Sequence, residues 1–300
     1  MAKLPHGKVI GDLRLIATRE NEVLGKLQTL HGIDAPEAHW ALRQLRLRWP
    51  RRLRGTVAVL AAAAGTNYYH WLFDSLPRLH LLQLAGVEWN HLDFLLLNEP
   101  VQSFDVDSLA LLGIPPQRAV RCSKRQITIA DRLFVPPMPT PLQGQIAPWM
   151  CEFLRKSFLT QIRPTGSGGR LYLSRRNSPK RRMENEAEVE SFFQQQGFTS
   201  LQLEKLSFRE QVAAFAGASI VAGPHGAGFA NLVFAPPATR VIELFHPGHQ
   251  QRLYEKLATA LGMRYQCVLG AAPGERHPAM SEKLGSYTIE LEQVRQSFAN

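Results

Sequence analysis

Short apolar runs separated by amphipathic stretches run the length of the chain, and in its second half they alternate almost without interruption. Residues 170–174 read as a strand, 185–196 as a helix, 198–203 as a strand, and 207–216 as a helix capped by Ser207. A strand over 220–222, a short helix over 229–234 and a strand over 240–245 follow, then a helix over 250–261 and a strand over 264–269. Such alternation predicts a parallel sheet with helices on both faces. The first half is sparser, with strands expected over 56–60, 94–97 and 126–135. Helices are expected over 35–47, from Thr66 or Asn67 onward, over 149–162, and over 282–298 at the end of the chain. Gly166, Gly168 and Gly169 follow Pro164 in the best candidate for a hinge. The pattern therefore predicts two domains, residues 1–165 and 166–300, the last helix being free to pack back on the first domain.

The stretch 219–243 organises the second half. Its strand is broken by Gly223, Pro224, Gly226 and Gly228, and Pro236 and Pro237 end the helix that follows. A glycine turn between a strand and a helix lets a ligand approach the backbone, and the helix start favours a phosphate. The same glycines also suit tight packing alone. Parallel sheets bind ligands at the carboxyl ends of their strands. That edge receives Arg175, Arg176 and the region after Glu243. The loop 174–186 adds Lys180, Arg181 and Arg182 to those two arginines, and guanidinium groups suit bidentate phosphate recognition. Asn185 and Glu188 can equally form a capping box.

Composition sharpens this only in part. A formal charge of +10 implies an anionic partner. No zinc-finger, basic-zipper or RNP-like pattern accompanies it, so a nucleic-acid binder rests on charge alone. Cys122, Cys151 and Cys267 form no C-x-x-C pair and suggest buried thiols in a reducing compartment. The longest apolar run, 57–64, falls far short of the roughly 20 residues that a spanning helix needs. The expectation is a soluble, cytoplasmic protein able to rest on the inner face of a membrane.

A second chemical signal lies at His70 and Asp74, four residues apart and so on one helical face, with Arg78 a turn further on. They form either a structural pair or an imidazole and a carboxylate that can take a proton from a hydroxyl. Pro77 has to kink this helix or restart it. Asp105 and Asp107 form a D-x-D triplet of the kind that can hold a metal, but Asp107 and Ser108 stand where a helix cap would explain them better.

Three ordered blocks resemble glycosyltransferase family 61, bacterial members of which are often labelled capsular polysaccharide biosynthesis proteins. They are Asn67 to Asp74 with Arg78; Tyr172 to Arg175 with Arg182, Asn185 and Glu186; and His225, Gly226, Ala227 and Gly228 with Asn231 and Glu243. The resemblance implies an α/β fold of the GT-B type, two facing Rossmann-like domains with a cleft between them. It also implies a nucleotide-sugar donor and transfer with inversion to a glycan or lipid-linked acceptor, usually without a metal or other cofactor. Carried over, Arg175 and Arg182 would face the donor diphosphate, His225 to Gly228 the phosphates or sugar, and Glu243 the nucleoside. Asn231 joins them as a donor-side candidate, and Asn67, Arg78, Asn185 and Glu186 are further candidates. Asp74 would be the base, with His70 its orienting partner or replacement. A sugar-binding subunit without turnover is the alternative.

Overall fold

The computed structural model describes residues 1–11, 15–24, 49–123, 126–140, 145–272 and 285–299. The helix expected over 35–47 lies outside the described residues. The chain divides into two units, Met1–Ser157 and Phe158–Asn300.

Among its described residues the first unit holds seven strands: β1 (Ala2–Pro5), β2 (Lys8–Ile10), β3 (Leu15–Ala17), β4 (Arg51–Val59), β5 (Phe94–Asn98), β6 (Ala119–Cys122) and β7 (Ile127–Val135). They lie in the order β3-β2-β7-β4-β5-β6, with β1 also paired to β7. The β7-β4-β5-β6 block is parallel, whereas β1, β2 and β3 are antiparallel additions. Central parallel strands are covered on both faces, so they read as unbroken apolar runs. Val57 to Val59 and Leu95 to Leu97 are such runs, and all six residues are buried. The antiparallel edge was not expected, because β1 to β3 are too short to show a period. Taken by order of appearance, the parallel strands run fourth, first, second, third. That is one half of a doubly wound sheet, and its strand order reverses between β4 and β7.

Helix α1 (Tyr68–His70) starts at Asn67, whose Oδ1 accepts the Tyr69 N–H at 2.9 Å. The coil then widens to a π-helical turn over Trp71–Ser75 and returns to α-helix in α2 (Pro77–Leu84). Proline has no N–H to donate four residues back, and its ring would clash there. The wide turn, closed by Leu76 N–H to the Trp71 carbonyl at 2.9 Å, absorbs that conflict. Of the two outcomes open to Pro77, the helix therefore restarts.

Helix α3 (Ser103–Leu111) corrects the expected cap at Asp107 and Ser108. Its capping box is Gln102 with Asp105, so Asp107 and Ser108 fall inside the helix. Buried Asp105 also accepts both terminal N–H groups of Arg121, each at 2.7 Å. Arg121→Met leaves that carboxylate without its partner, and urea denaturation should show a loss of about 3 kcal/mol. Replacing both residues by apolar ones should recover most of it.

Helix α4 (Pro148–Leu159) carries the division between the units. In the second unit, β8 (Gly169–Leu173), β9 (Thr199–Leu201), β10 (Ala218–Pro224), β11 (Arg240–Phe245) and β12 (Arg264–Leu269) are all parallel, in the order β12-β11-β10-β8-β9. Numbered by appearance this is 2-1-3-4-5, which reverses between β8 and β10. Helices α5 (Glu186–Gln195), α6 (Phe208–Ala216), α7 (Leu253–Ala260) and α8 (Leu291–Ala299) accompany it. The helix expected over 229–234 is a 3₁₀ segment, Ala227–Phe234. The expected hinge is held to α6 within this unit, Thr165 N–H meeting the Ala213 carbonyl and Gly169 N–H the Gly217 carbonyl, each at 3.0 Å. Helix α8 packs within the second unit too, through Phe298 against Phe192, Phe193 and Phe198.

Cys122 and Cys151 are buried as expected, but Cys267 on β12 is exposed. Among the described residues no helix is long and apolar enough to cross a membrane.

Candidate functional site

In the first unit the α1–α2 segment follows β4, and the residues 136–140 follow β7, so both leave the sheet where its strand order reverses. Their side chains meet there. His70 Nδ1 lies 2.6 Å from Asp74 Oδ2, and the Thr140 hydroxyl donates to Asp74 Oδ1. Arg78 is buried beneath them. Its Nε donates to the Asp74 carbonyl at 2.9 Å and its Nη1 to the Val59 carbonyl at 3.4 Å. Burial pushes its guanidinium down to about 10, against the opposing pull of Asp74, so it stays charged at neutral pH. Both Asp74 oxygens thus serve protein donors.

Exposure separates the pair, the His70 side chain being 31% accessible and that of Asp74 7%. With Asp74 ionised, the short bond fixes the imidazole proton on Nδ1, which leaves Nε2 as a hydrogen-bond acceptor. Sequence spacing had placed these two residues on one face. The π-turn still lets them touch. Thr140 was missed because it sits 66 positions from Asp74 in a proline-rich connector.

The second unit holds another imidazole–carboxylate pair, at its own strand reversal. His225 follows β10 directly, and its Nδ1 lies 2.5 Å from Glu243 Oε1 on the neighbouring strand β11. Tyr265 donates its hydroxyl to Glu243 Oε2 at 2.6 Å. Burial and the Glu243 charge push the Tyr265 phenol well up. Glu243 is 0% exposed, so the carboxylate expected beside a ribose is enclosed, with a protein partner on each oxygen.

Protein atoms pack closely against the glycine turn. At Gly223, φ is +151° and a Cβ would lie 2.6 Å from the Leu173 carbonyl oxygen. A Cβ at Gly226 would press on the Arg175 guanidinium, 2.7 Å from Nη1, and one at Gly228 would meet Leu203 at 2.5 Å. Arg175 fills that space because its Nη1 donates to the His225 carbonyl and its Nη2 to Ser178 Oγ at 2.7 Å. Burial lowers its pKa from the usual guanidinium value. Ala227 opens the 3₁₀ segment, and buried Asn231 ties that segment to Gln211 on α6 at 3.0 Å.

Other candidates make contacts within the protein or lie at its surface. Asn67 caps α1, and Arg78 is enclosed. Asn185 makes no side-chain cap to α5 and instead exchanges two hydrogen bonds with the Ile289 backbone, at 2.8 and 3.0 Å. Buried Glu186 accepts from the Arg175 N–H at 2.6 Å and from Ser174 Oγ at 3.1 Å, and burial raises its carboxyl. Arg182 is exposed, its carbonyl accepting from Tyr287 N–H at 3.0 Å. Its neighbour Arg181 is the partly buried one and lies near Arg175. His246 and His249, in the turn after β11, were also missed, although a histidine pair at the carboxyl end of a central strand is a legible signal.

Two α/β sheets built on parallel strands, each with an imidazole–carboxylate pair at or beside the point where its strand order reverses, make a Rossmann-like protein with polar chemistry at the strands' carboxyl ends. The sequence model for glycosyltransferase 61 matches residues 68–242, more than half of the 300-residue chain. This chain belongs to that glycosyltransferase family. Among curated proteins it is similar to a beta-1,2-xylosyltransferase of Arabidopsis thaliana, 33% identical over 82 residues. That match takes in 27% of this chain and only 15% of the plant protein's length.

Proposed function

We propose that the protein is an inverting glycosyltransferase that moves a sugar, a pentose being the first to test, from a nucleotide-sugar donor to an acceptor hydroxyl on a glycan or lipid-linked oligosaccharide. Family membership supports the donor class, and the name of the plant relative supports a pentose. That relative lends no support to bacterial capsule synthesis as the setting. In this reading the two units take the roles of a GT-B enzyme, the second holding the donor and the first supplying the base.

The observation that carries the mechanism is the His70–Asp74–Thr140 chain, with its exposed end at the imidazole. His70 Nε2 takes the acceptor's proton as the hydroxyl oxygen bonds to the anomeric carbon. The bond from that carbon to the diphosphate oxygen breaks, and the electron pair leaves on the diphosphate. Asp74 orients the ring and offsets the charge it gains. Cationic side chains of the second unit stabilise the leaving group, preorganised charge often being the larger catalytic contribution. Among the described residues no three His, Cys, Asp or Glu side chains are grouped to hold a metal ion.

A product assay over UDP-, GDP-, CMP- and dTDP-sugars, pentose donors included, tests the reading. Transfer from one of them to a glycan acceptor, unchanged by a chelator, is expected. Donor binding without product would make this a binding subunit, and activity restored only by Mn²⁺ would return the diphosphate charge to a metal.

A further inference from the structure

Trp49 is the most exposed large apolar side chain among the described residues, at 93%, whereas tryptophans are on average highly buried. It stands directly before β4, and its carbonyl accepts from Gln126 Nε2 at 2.9 Å. The indole is thus presented from a backbone that is tied to the sheet. Arg51, Arg52 and Arg54 follow it, all exposed, with buried Leu53 between the last two. Arg52 and Lys8 both pair with Ile129 of β7, so their side chains leave the same face of the sheet. Lys8 in turn donates to the Arg19 carbonyl at 2.7 Å.

Little negative charge answers these cations. From Trp49 to Phe73 the chain carries no Asp or Glu. Two carboxylates at this end of β4 serve its backbone, Asp131 accepting the Gly55 N–H at 3.0 Å and Asp93 the Thr56 N–H at 2.6 Å. Exposed Glu20 and Glu22 follow β3, three strands away from β4. Among the described residues none of Arg51, Arg52 and Arg54 forms an ion pair. An indole set among free guanidinium groups suits the boundary of an anionic bilayer. The ring sits at the level of the headgroups, and each cation is drawn by the surface potential. A second copy of the chain would bring the same positive charge to meet it. The patch lies at the amino ends of β4 and β7, opposite the ends that lead to His70 and Thr140. The nine residues of β4 alone span roughly 26 Å, so a surface held at the patch leaves that site uncovered.

We propose that Trp49, with Arg51, Arg52, Arg54 and Lys8 around it, docks the first unit on the surface of an anionic lipid bilayer. The contact is peripheral: the indole enters the headgroup layer, and the guanidinium groups meet lipid phosphates with paired bonds. It goes beyond the sugar-transfer reading, and it sets the chain on the surface where a lipid-linked acceptor is held.

Co-sedimentation of the full chain with vesicles of mixed phosphatidylglycerol and phosphatidylcholine, and with vesicles of phosphatidylcholine alone, tests the docking. Binding is expected to the mixed vesicles only, and it should weaken as salt is raised. Arg51→Ser, Arg52→Ser and Arg54→Ser combined should weaken it about a hundredfold, at about fivefold for each cation near the surface. Trp49→Ser alone should weaken it about tenfold. All four side chains are exposed, so the thermal midpoint of each variant should match the wild type, as should transfer to a water-soluble acceptor. A wild type that stays in the supernatant with both vesicles overturns the docking, and so does equal binding to the uncharged ones. Wild-type affinity in either variant overturns it too. Tighter binding to single-stranded RNA than to vesicles, lost in the same variants, would assign the patch to nucleic acid instead. Vesicle binding needs neither donor nor turnover, so it and the sugar-transfer reading fail separately.

Discussion

His70→Ala is expected to lower sugar transfer by about 10² to 10⁴, the usual contribution of a positioned general base. KM for the donor should change little, because the imidazole acts on the acceptor's proton. Asp74→Asn should cost nearly as much for a different reason. An amide can offer its N–H₂ to His70 Nδ1, which drives the ring proton to Nε2 and removes the acceptor from the exposed side. Retention of geometry with the wrong tautomer is known to abolish most catalysis in other imidazole–carboxylate pairs. Thr140→Val should be milder, about tenfold, since it removes one hydrogen bond to a carboxylate that keeps its charge. The alternative, in which Asp74 takes the proton itself, predicts another order of effects. His70→Ala would then retain most activity while Asp74→Asn lost it, and that result would reverse the roles. Buried Asp74, with both oxygens occupied, argues for the first order.

Much of this was legible in the sequence where a single strand or helix carried the signal. The second sheet follows from apolar runs such as Leu171 to Leu173 and Ile220 to Ala222, because strands covered on both faces need continuous apolar residues. The His70–Asp74 contact follows from helical spacing. What was not legible depends on neighbours distant in sequence. Gly226 reads as an opening for a ligand until Arg175, 51 positions earlier, is seen to fill it. Glu243 reads as an acid at a strand's end, within reach of a nucleoside, yet its register beside Gly223 and Cys267 sets it in the interior of the second sheet. Arg181 and Arg182 are adjacent and alike, yet Arg181 is half-buried near Arg175 while Arg182 is exposed.

Glu243→Leu is the largest stability effect expected in the second unit. The carboxylate is fully buried and accepts from two groups that are themselves held in place, His225 by the Phe245 ring at 4.9 Å and Tyr265 by its strand. Leucine leaves both donors unmade, and each buried donor left so costs about 1–3 kcal/mol, giving a loss of about 3 kcal/mol or more in urea denaturation. Glu243→Gln separates structure from ligand binding. Its amide oxygen can keep Tyr265, while its N–H₂ faces His225 Nδ1 and forces the ring proton to the other nitrogen. One bond is retained and one exchanged, so the loss should be nearer 1 kcal/mol. A ribose role predicts the opposite pair of readings, with stability held and nucleoside diphosphate affinity gone in Glu243→Gln. Binding that falls no further than the stability change explains places Glu243 in the scaffold, holding His225 where β10 ends. Binding that collapses in a variant as stable as the wild type would return Glu243 to the nucleoside.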